Sequence, residues 1–144
     1  SYNRESDTPS GYEALYMNPT TSTRYDALMP TLIRAYGLRI VGGKGGLGEE
    51  SVQAMRETGC IYLSCVGGGC TLLARAIQEV VSVHWEDYIS QFRLVTLRVK
   101  DLGPATVGID AHGNSLYRQL RENVQQRLPG ILEELDQHRA DSTH

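Results

Sequence analysis

The sequence predicts a single α/β domain with a mostly parallel layer of sheet, added strands beside it and a helical tail. Three observations predict this class. Short apolar runs alternate with stretches of helical spacing between residues 38 and 85. Apolar and polar residues then alternate with period two over residues 92–100, which is typical of a strand with one solvated face. Near the end of the chain, leucines recur at helical spacing.

Length and composition agree with one globular domain. The 144 residues suffice for one hydrophobic core and are too few for two comfortable ones, so we assign residues 1–144 to a single domain. The content of 40% hydrophobic and 22% charged residues is ordinary for a globular protein. The net charge of −3 disfavours a broad nucleic-acid surface. The sequence contains neither a membrane-length apolar run nor a secretory signal, so we expect a cytoplasmic protein.

The first elements are a polar segment, a strand and a helix. Residues 1–11 are predicted to form a loop or an arm, and residues 12–17 a short strand. Apolar residues at helical spacing predict a helix over residues 25–36 that Gly37 ends. Pro30 lies inside this pattern, where it either kinks the helix or marks its true start. A buried strand is expected next, over residues 38–41.

Two further repeats of helix and strand follow. A surface helix over residues 49–57 should end at Gly59, and residues 60–66 are apolar enough for a strand covered on both faces. A helix over residues 70–77 then leads to a strand over residues 79–85. This order predicts parallel strands joined by right-handed crossovers.

The last third of the chain departs from this pattern. Residues 92–100 and 105–110 are predicted to be added strands, some of them antiparallel. An amphipathic helical tail over residues 118–144 follows, and residues 129–130, a Pro-Gly pair, are expected to break it into two pieces. Residues 139–144 are expected to be disordered.

Three cysteines, Cys60, Cys65 and Cys70, recur five residues apart. An odd number in a cytoplasmic chain argues against a disulfide framework. Their spacing differs from a compact iron–sulfur ligand run, and Cys60 and Cys65 have opposite parity on the predicted strand. We therefore expect three small buried residues and no metal held by this chain.

Two segments are predicted to form anion-binding corners. Residues 19–23 are a hydroxyl-rich lead-in to a helix, where Ser and Thr side chains cap free backbone N–H groups. Residues 42–46 form a glycine loop between a strand and a helix, where the backbone can approach a ligand and the helix start favours negative charge. Arg24 and Lys44 end these corners, an arrangement that suits a substrate with two carboxylates.

A nucleotide site is the least favoured alternative. The glycine loop contains a literal G-x-G-x-x-G motif, but residues 64–68 lack the carboxylate that would hold a ribose. Lys44 is followed by glycine rather than Ser or Thr, so the loop does not match a P-loop either. A second glycine run, at residues 67–69, is expected to permit close packing of helix on sheet. The glycines of the G-x-G-x-x-G motif in the first loop are Gly43, Gly45 and Gly48.

Residues 19–26 and 43–46 together resemble the signature of the iron–sulfur hydro-lyases, which comprise class I fumarases and L(+)-tartrate dehydratases. The similarity is to the beta subunit or C-terminal domain of these enzymes. It continues in order over roughly residues 15–117, within a module of about residues 12–117. The further matching segments are residues 59–63, 66–68, 85–87, 109–110 and 113–117.

The resemblance implies a swivelling β/β/α domain that closes over a [4Fe-4S] cluster held by an alpha subunit or domain. It also implies an enzyme that adds or removes water on a small dicarboxylate, fumarate/malate or L-tartrate/oxaloacetate, and that is inactive without the alpha part. Carried over residue by residue, it assigns catalytic roles to Thr20 and Lys44. The substrate-binding residues that it assigns are Arg24, Lys44, Thr21, Gly43 and Gly45.

The sequence also departs from the family pattern. The family module begins with a segment containing an Arg-Asp pair and a histidine, which is not found before Tyr12. Tyr25 stands where the family usually has methionine, and residues 88–91 replace a usual Gly-Pro-Glu-Ala-like stretch. The alternative function is therefore a non-catalytic dicarboxylate-binding or assembly module. We further expect an alpha partner and a homo-oligomer, with neither nucleic acid nor membrane as a partner.

Overall fold

The computed structural model describes residues 2–5, 7–68 and 70–141. Within them the chain forms seven strands, four α-helices and two short 3-10 helices. The strands are β1 (Tyr2–Glu5), β2 (Tyr12–Tyr16), β3 (Ile40–Gly43), β4 (Ile61–Cys65), β5 (Ile77–His84), β6 (Leu94–Val99) and β7 (Ala105–Ile109). The helices are α1 (Met29–Tyr36), α2 (Glu49–Thr58), α3 (Cys70–Arg75) and α4 (Leu116–Asp141), with 3-10 turns at Ser22–Tyr25 and Ser90–Phe92.

The described strands form three small sheets. The central sheet has the order β3-β4-β7, in which β3 and β4 are parallel and β4 and β7 are antiparallel. Strands β5 and β6 form an antiparallel pair, and β1 and β2 form another. The predicted α/β class is therefore confirmed, but the polar segment over residues 1–11 contains a strand where a loop or arm was expected.

The predicted mostly parallel layer is wrong beyond β4. Strand β5 does not continue the central sheet but pairs with β6, and β7 takes the place beside β4. A parallel crossover within one sheet needs a connection of about a dozen residues or more, usually with a full helix. Within residues 66–68 and 70–76 the structure describes only the short helix α3, so an antiparallel arrangement with the following strand is more accessible.

The core lies between the central sheet and the helix pair α1 and α2. Ile33 of α1, Met55 of α2, and Tyr62 and Ile109 of the sheet are fully buried there. Their burial is what the apolar spacing of these segments predicts, since one face of each helix and of the sheet must be covered.

Local signals define the ends of both core helices as predicted. Pro30 lies in the first turn of α1, where its missing N–H costs no helical hydrogen bond. Gly37 and Gly59 follow α1 and α2 in the left-handed conformation, with φ of 56° and 70°. Glycine adopts this conformation without the steric penalty of a Cβ atom.

Helix α4 runs for 26 residues without the predicted break. Pro129 lies inside it, and an interior proline costs roughly 3 kcal/mol or more because one helical hydrogen bond is lost. A proline can nevertheless be accommodated by a kink rather than an end. The disorder predicted for residues 139–144 is wrong for residues 139–141, and residues 142–144 lie outside the described part of the chain.

Among the described residues, none of the helices combines the length and the apolar character that a membrane crossing requires.

Candidate functional site

The two predicted corners lie directly beside each other. Thr21 and Lys44 form an isolated parallel bridge just beyond the end of β3. The Ser22 N–H donates to the Lys44 carbonyl at 2.8 Å, and the Lys44 N–H donates to the Thr20 carbonyl at 3.0 Å. The segment over residues 20–22 therefore runs alongside the glycine loop, so that residues far apart in sequence share one edge of the central sheet.

Lys44 reaches from this bridge towards the loop that follows β4. It is half-buried, and its Cδ lies 3.8 Å from the position that a Cβ on Gly67 would occupy. Parallel neighbouring strands bring their carboxyl ends to the same edge, which explains why the two loops meet here. Residues 67–69 were expected to permit close packing of helix on sheet. Gly67 also leaves room for the Lys44 side chain, and Gly69 lies outside the described residues.

Gly45 is an open position of the glycine loop. It is exposed, with a φ of 83°, and the nearest atom to an added Cβ would be Thr21 Cγ2 at 3.5 Å. Thr20 is also exposed, and Thr21 is half-buried. A ligand can therefore approach the main chain here. We call this surface the Thr–Lys edge; its residues are Thr20, Thr21, Arg24, Lys44, Gly45 and Gly67.

Arg24 lies in the 3-10 turn at Ser22–Tyr25, with its side chain exposed. Its N–H donates to the Thr21 carbonyl at 3.3 Å, which holds its backbone one turn away from the bridge. The helix expected from residue 25 begins only at Met29. The predicted capping role of the hydroxyls is also wrong for Ser22, because its hydroxyl shares a 3.0 Å hydrogen bond with Tyr62 on β4.

Gly43 is buried against the same segment. A Cβ atom there would collide with Ser22 Oγ and lie 3.0 Å from the Thr20 carbonyl oxygen. The close packing of the chain on itself explains this glycine. Gly43 therefore has a packing cause of its own, and the predicted substrate-binding roles of Gly43 and Gly45 stay predictions.

The N-terminus of α2 binds the side-chain carboxylate of Asp26. The Gly48 N–H donates to Asp26 Oδ1 at 2.9 Å, and the Ser51 hydroxyl donates to the same oxygen at 2.6 Å. A Cβ on Gly48 would collide with Asp26 Oδ2, so any other residue here would have to displace this carboxylate. A carboxylate is favourable at the positive end of a helix.

This arrangement corrects the expectation that the start of α2 binds a ligand anion. It also argues against the dinucleotide interpretation, because a pyrophosphate would need the helix start that Asp26 occupies. Each glycine of the G-x-G-x-x-G motif instead has a local cause. These are packing for Gly43, a positive φ for Gly45 and the Asp26 carboxylate for Gly48.

Tyr62 is an organising residue that the sequence interpretation missed. Its side chain is 1% exposed, and its hydroxyl accepts the Gly46 N–H at 3.3 Å while sharing the hydrogen bond with Ser22. Burial raises the pKa of this hydroxyl, against the opposite effect of the Ser22 hydrogen bond, so it stays neutral. A tyrosine inside an otherwise apolar strand was the available signal, because a buried phenol usually finds a hydrogen-bond partner.

A cavity of about 210 Å³ lies behind the Thr–Lys edge, between the 3-10 turn, α1 and β3. Thr20 borders it, but the other lining residues are mainly apolar, and Lys44 and Arg24 are not among them. The cavity therefore does not suit a dianion, and the Thr–Lys edge is the better candidate site. The apolar lining residues are Leu28, Met29, Leu32, Val41 and Leu47.

The cysteines do not converge. Cys60 is buried just before β4 and Cys65 ends that strand, so they lie about 16 Å apart, too far to bind one cluster together. Burial raises the pKa of the Cys60 thiol, which disfavours the thiolate that a metal needs. The Cys70 side chain lies outside the described residues. Across the described ranges, no group of three or more His, Cys, Asp or Glu side chains is placed to hold a metal ion.

Comparison with known proteins shows which proteins this chain is similar to. The sequence profile of a family described as Fumarase C-terminus matches residues 2–120. A "Putative fumarate hydratase class I" of Geobacillus stearothermophilus is 34% identical over 127 residues, which cover 88% of this chain and 24% of that protein. The L(+)-tartrate dehydratase subunit beta of Escherichia coli K12 is 31% identical over 127 residues, 88% of this chain and 63% of that subunit. The chain thus spans less than two thirds of the length of these relatives.

Proposed function

Because this chain belongs to the Fumarase C-terminus family, we propose that it is the beta part of an iron–sulfur hydro-lyase acting on a small dicarboxylate. The substrate classes are fumarate/malate and L-tartrate/oxaloacetate, in line with the names of the two relatives. The observation that carries the proposal is the bridge between Thr21 and Lys44, since it brings two separate polar segments to one open edge. The protein would work in the cytoplasm.

The Thr–Lys edge offers the groups that a dicarboxylate requires. Lys44 supplies a point charge for one carboxylate, and the Arg24 guanidinium supplies a planar fork for the other. Thr21 and the exposed main chain at Gly45 lie beside Lys44 and would add hydrogen bonds. Gly43 would act by allowing the Thr20 segment to lie close, rather than by touching the substrate.

The chain needs a partner to complete this site. The described residues do not fit an iron–sulfur cluster, so the [4Fe-4S] group would belong to an alpha subunit or domain. The name of the Escherichia coli relative, a subunit beta, supports this division. The open Thr–Lys edge would then be one wall of a cleft closed by a swivelling motion of a β/β/α domain. A non-catalytic dicarboxylate-binding or assembly module is the second candidate, because the described residues offer cationic and hydroxyl groups and no converging cluster ligands.

Titration of the isotope-labelled chain with L-tartrate and with fumarate, followed by NMR, tests the binding role directly. We expect shifts concentrated on the amides of Lys44, Gly45 and Gly67, because these line the edge. Acetate should bind more weakly, since it engages one cation only. The Lys44→Met chain should lose the shifts. Binding of NAD or ATP at this edge, or dicarboxylate shifts confined to the cavity behind it, would contradict the assignment.

Thr20→Val tests whether the exposed Thr20 hydroxyl takes part in proton transfer. In the enzyme assembled with its alpha part, we expect kcat to fall roughly 100-fold with a smaller change in KM, on the scale of losing a group in general acid–base catalysis. The melting temperature should stay unchanged, because the bond from Lys44 goes to the Thr20 carbonyl.

Thr23→Val is the matched control, because Thr23 is exposed in the neighbouring 3-10 turn. It should leave both kcat and stability near their wild-type values. If Thr20→Val instead loses about 1 kcal/mol of stability and turns over normally, its hydroxyl is a cap rather than a catalytic group.

A further inference from the structure

Helix α4 carries a continuous apolar stripe that is exposed. The residues of the stripe follow one another at steps of three or four, so they lie on one side of the helix. Each is between 45% and 63% exposed. A large exposed apolar surface usually marks an interaction site. We call it the α4 stripe; its residues are Leu120, Val124, Leu128, Ile131 and Leu135.

Among the described residues, the side-chain contacts that attach the helix to the body of the protein lie near its start. The Tyr117 ring packs edge-on against Tyr62, with ring centres 5.9 Å apart, and its hydroxyl donates to Ser64 Oγ at 2.7 Å. Arg118 donates to Glu49 at 3.1 Å and to the Gly113 carbonyl at 3.0 Å. The match to the family profile ends at residue 120, where the stripe begins.

The sequence of α4 indicates that its outer half needs a packing partner. Pro129 and Gly130 are adjacent residues in the helix interior, and both weaken a helix that stands alone. Helices in water draw most of their stability from packing of an apolar face rather than from propensity. A partner that covers the α4 stripe would supply that packing.

Charge identifies the partner. In residues 116–128 three arginines accompany one glutamate, whereas in residues 129–139 two glutamates and an aspartate accompany one arginine. One half of the helix is therefore basic and the other acidic. An antiparallel copy of the same helix would place each basic half against an acidic half, whereas a parallel copy would oppose like charges.

We propose that α4 pairs antiparallel with α4 of a second copy of this chain, so that the two stripes form the core of a symmetric dimer. Such an interface is isologous, with the same residues contributed by both copies. The two-fold axis would pass near Leu128, the middle of the stripe. Leu120 would then face Leu135 of the second copy, and Val124 would face Ile131.

Sedimentation of the full chain over a concentration series tests the pairing. We expect a species of twice the chain mass that dissociates on dilution, and more readily at high salt because part of the attraction is electrostatic. Val124→Asp should shift dissociation to at least tenfold higher concentration. Gln126→Asp, which adds the same charge on the opposite side of the helix, should leave the dimer intact. A wild-type chain that stays monomeric throughout, or a dimer indifferent to Val124→Asp, would overturn the proposal.

Charge reversal and cross-linking test the orientation. Arg121→Glu with Arg127→Glu should weaken the dimer, and adding Glu133→Arg with Glu134→Arg should restore it. A mixture of Leu120→Cys and Leu135→Cys chains should yield a disulfide between positions 120 and 135, identified by peptide mass. Efficient linkage of position 120 to itself would indicate a parallel pair and contradict the antiparallel arrangement.

Discussion

Lys44→Met is expected to lower kcat/KM of the assembled enzyme by about 30- to 1,000-fold, a loss of roughly 2–4 kcal/mol in transition-state stabilisation. The methionine keeps an unbranched stem of similar length, so the contact with Gly67 can persist while the charge disappears. The main-chain bonds that join residue 44 to Thr20 and Ser22 do not involve its side chain. Stability should therefore change little, and the defect should lie in the handling of the substrate.

Arg24→Lys is the companion variant, because it retains the charge and removes only the planar fork. We expect a loss of similar size, since a lysine cannot hold a carboxylate through two parallel hydrogen bonds. Arg34→Lys serves as the control. Arg34 is an exposed arginine of α1 that pairs with Glu57 at 2.6 Å on α2. Steady-state kinetics and melting curves of the three variants decide the assignment. Wild-type kinetics for both Lys44→Met and Arg24→Lys would show that the Thr–Lys edge does not bind the substrate.

Gly46→Ala is expected to destabilise the fold by about 2–5 kcal/mol. Two effects combine at this position. The backbone has a φ of 77°, and an added Cβ would lie 2.5 Å from the Tyr117 ring, which packs against the core residue Tyr62. The ring cannot retreat freely, because its hydroxyl donates to Ser64 on β4. A loss of this size is a large part of the free energy of unfolding of an ordinary domain.

Gly45→Ala separates the two effects. Its φ of 83° imposes the same backbone strain, but its Cβ would meet only Thr21 Cγ2 at an ordinary 3.5 Å. We expect a cost of about 1–2 kcal/mol from the backbone alone. Urea unfolding of both variants, repeated in a Tyr117→Ala background, measures the coupling. If the Tyr117→Ala background does not reduce the cost of Gly46→Ala, the steric explanation is wrong.

The features that the sequence by itself determined are those with local physical causes. Pro30 at the start of α1 and the glycines at residues 37 and 59 act through the torsion angles of single residues. The pairing of Arg24 with Lys44 as one candidate site also came from the sequence, through the charge and loop chemistry of two short segments. The structure places those segments side by side, and their roles in binding remain predictions.

Only the tertiary structure decided which distant segments meet. The partner of β5 depends on whether a short connection can cross back over the sheet, which apolar spacing does not reveal. The Asp26 carboxylate at the start of α2 and the Tyr62 hydroxyl between Ser22 and Gly46 join residues 16 to 40 positions apart. Such contacts form because burial forces each polar group to find whichever partner packing brings within reach. Helix α4 is a further case, because its apolar stripe is visible in the sequence whereas the exposure of that stripe is visible only in the fold.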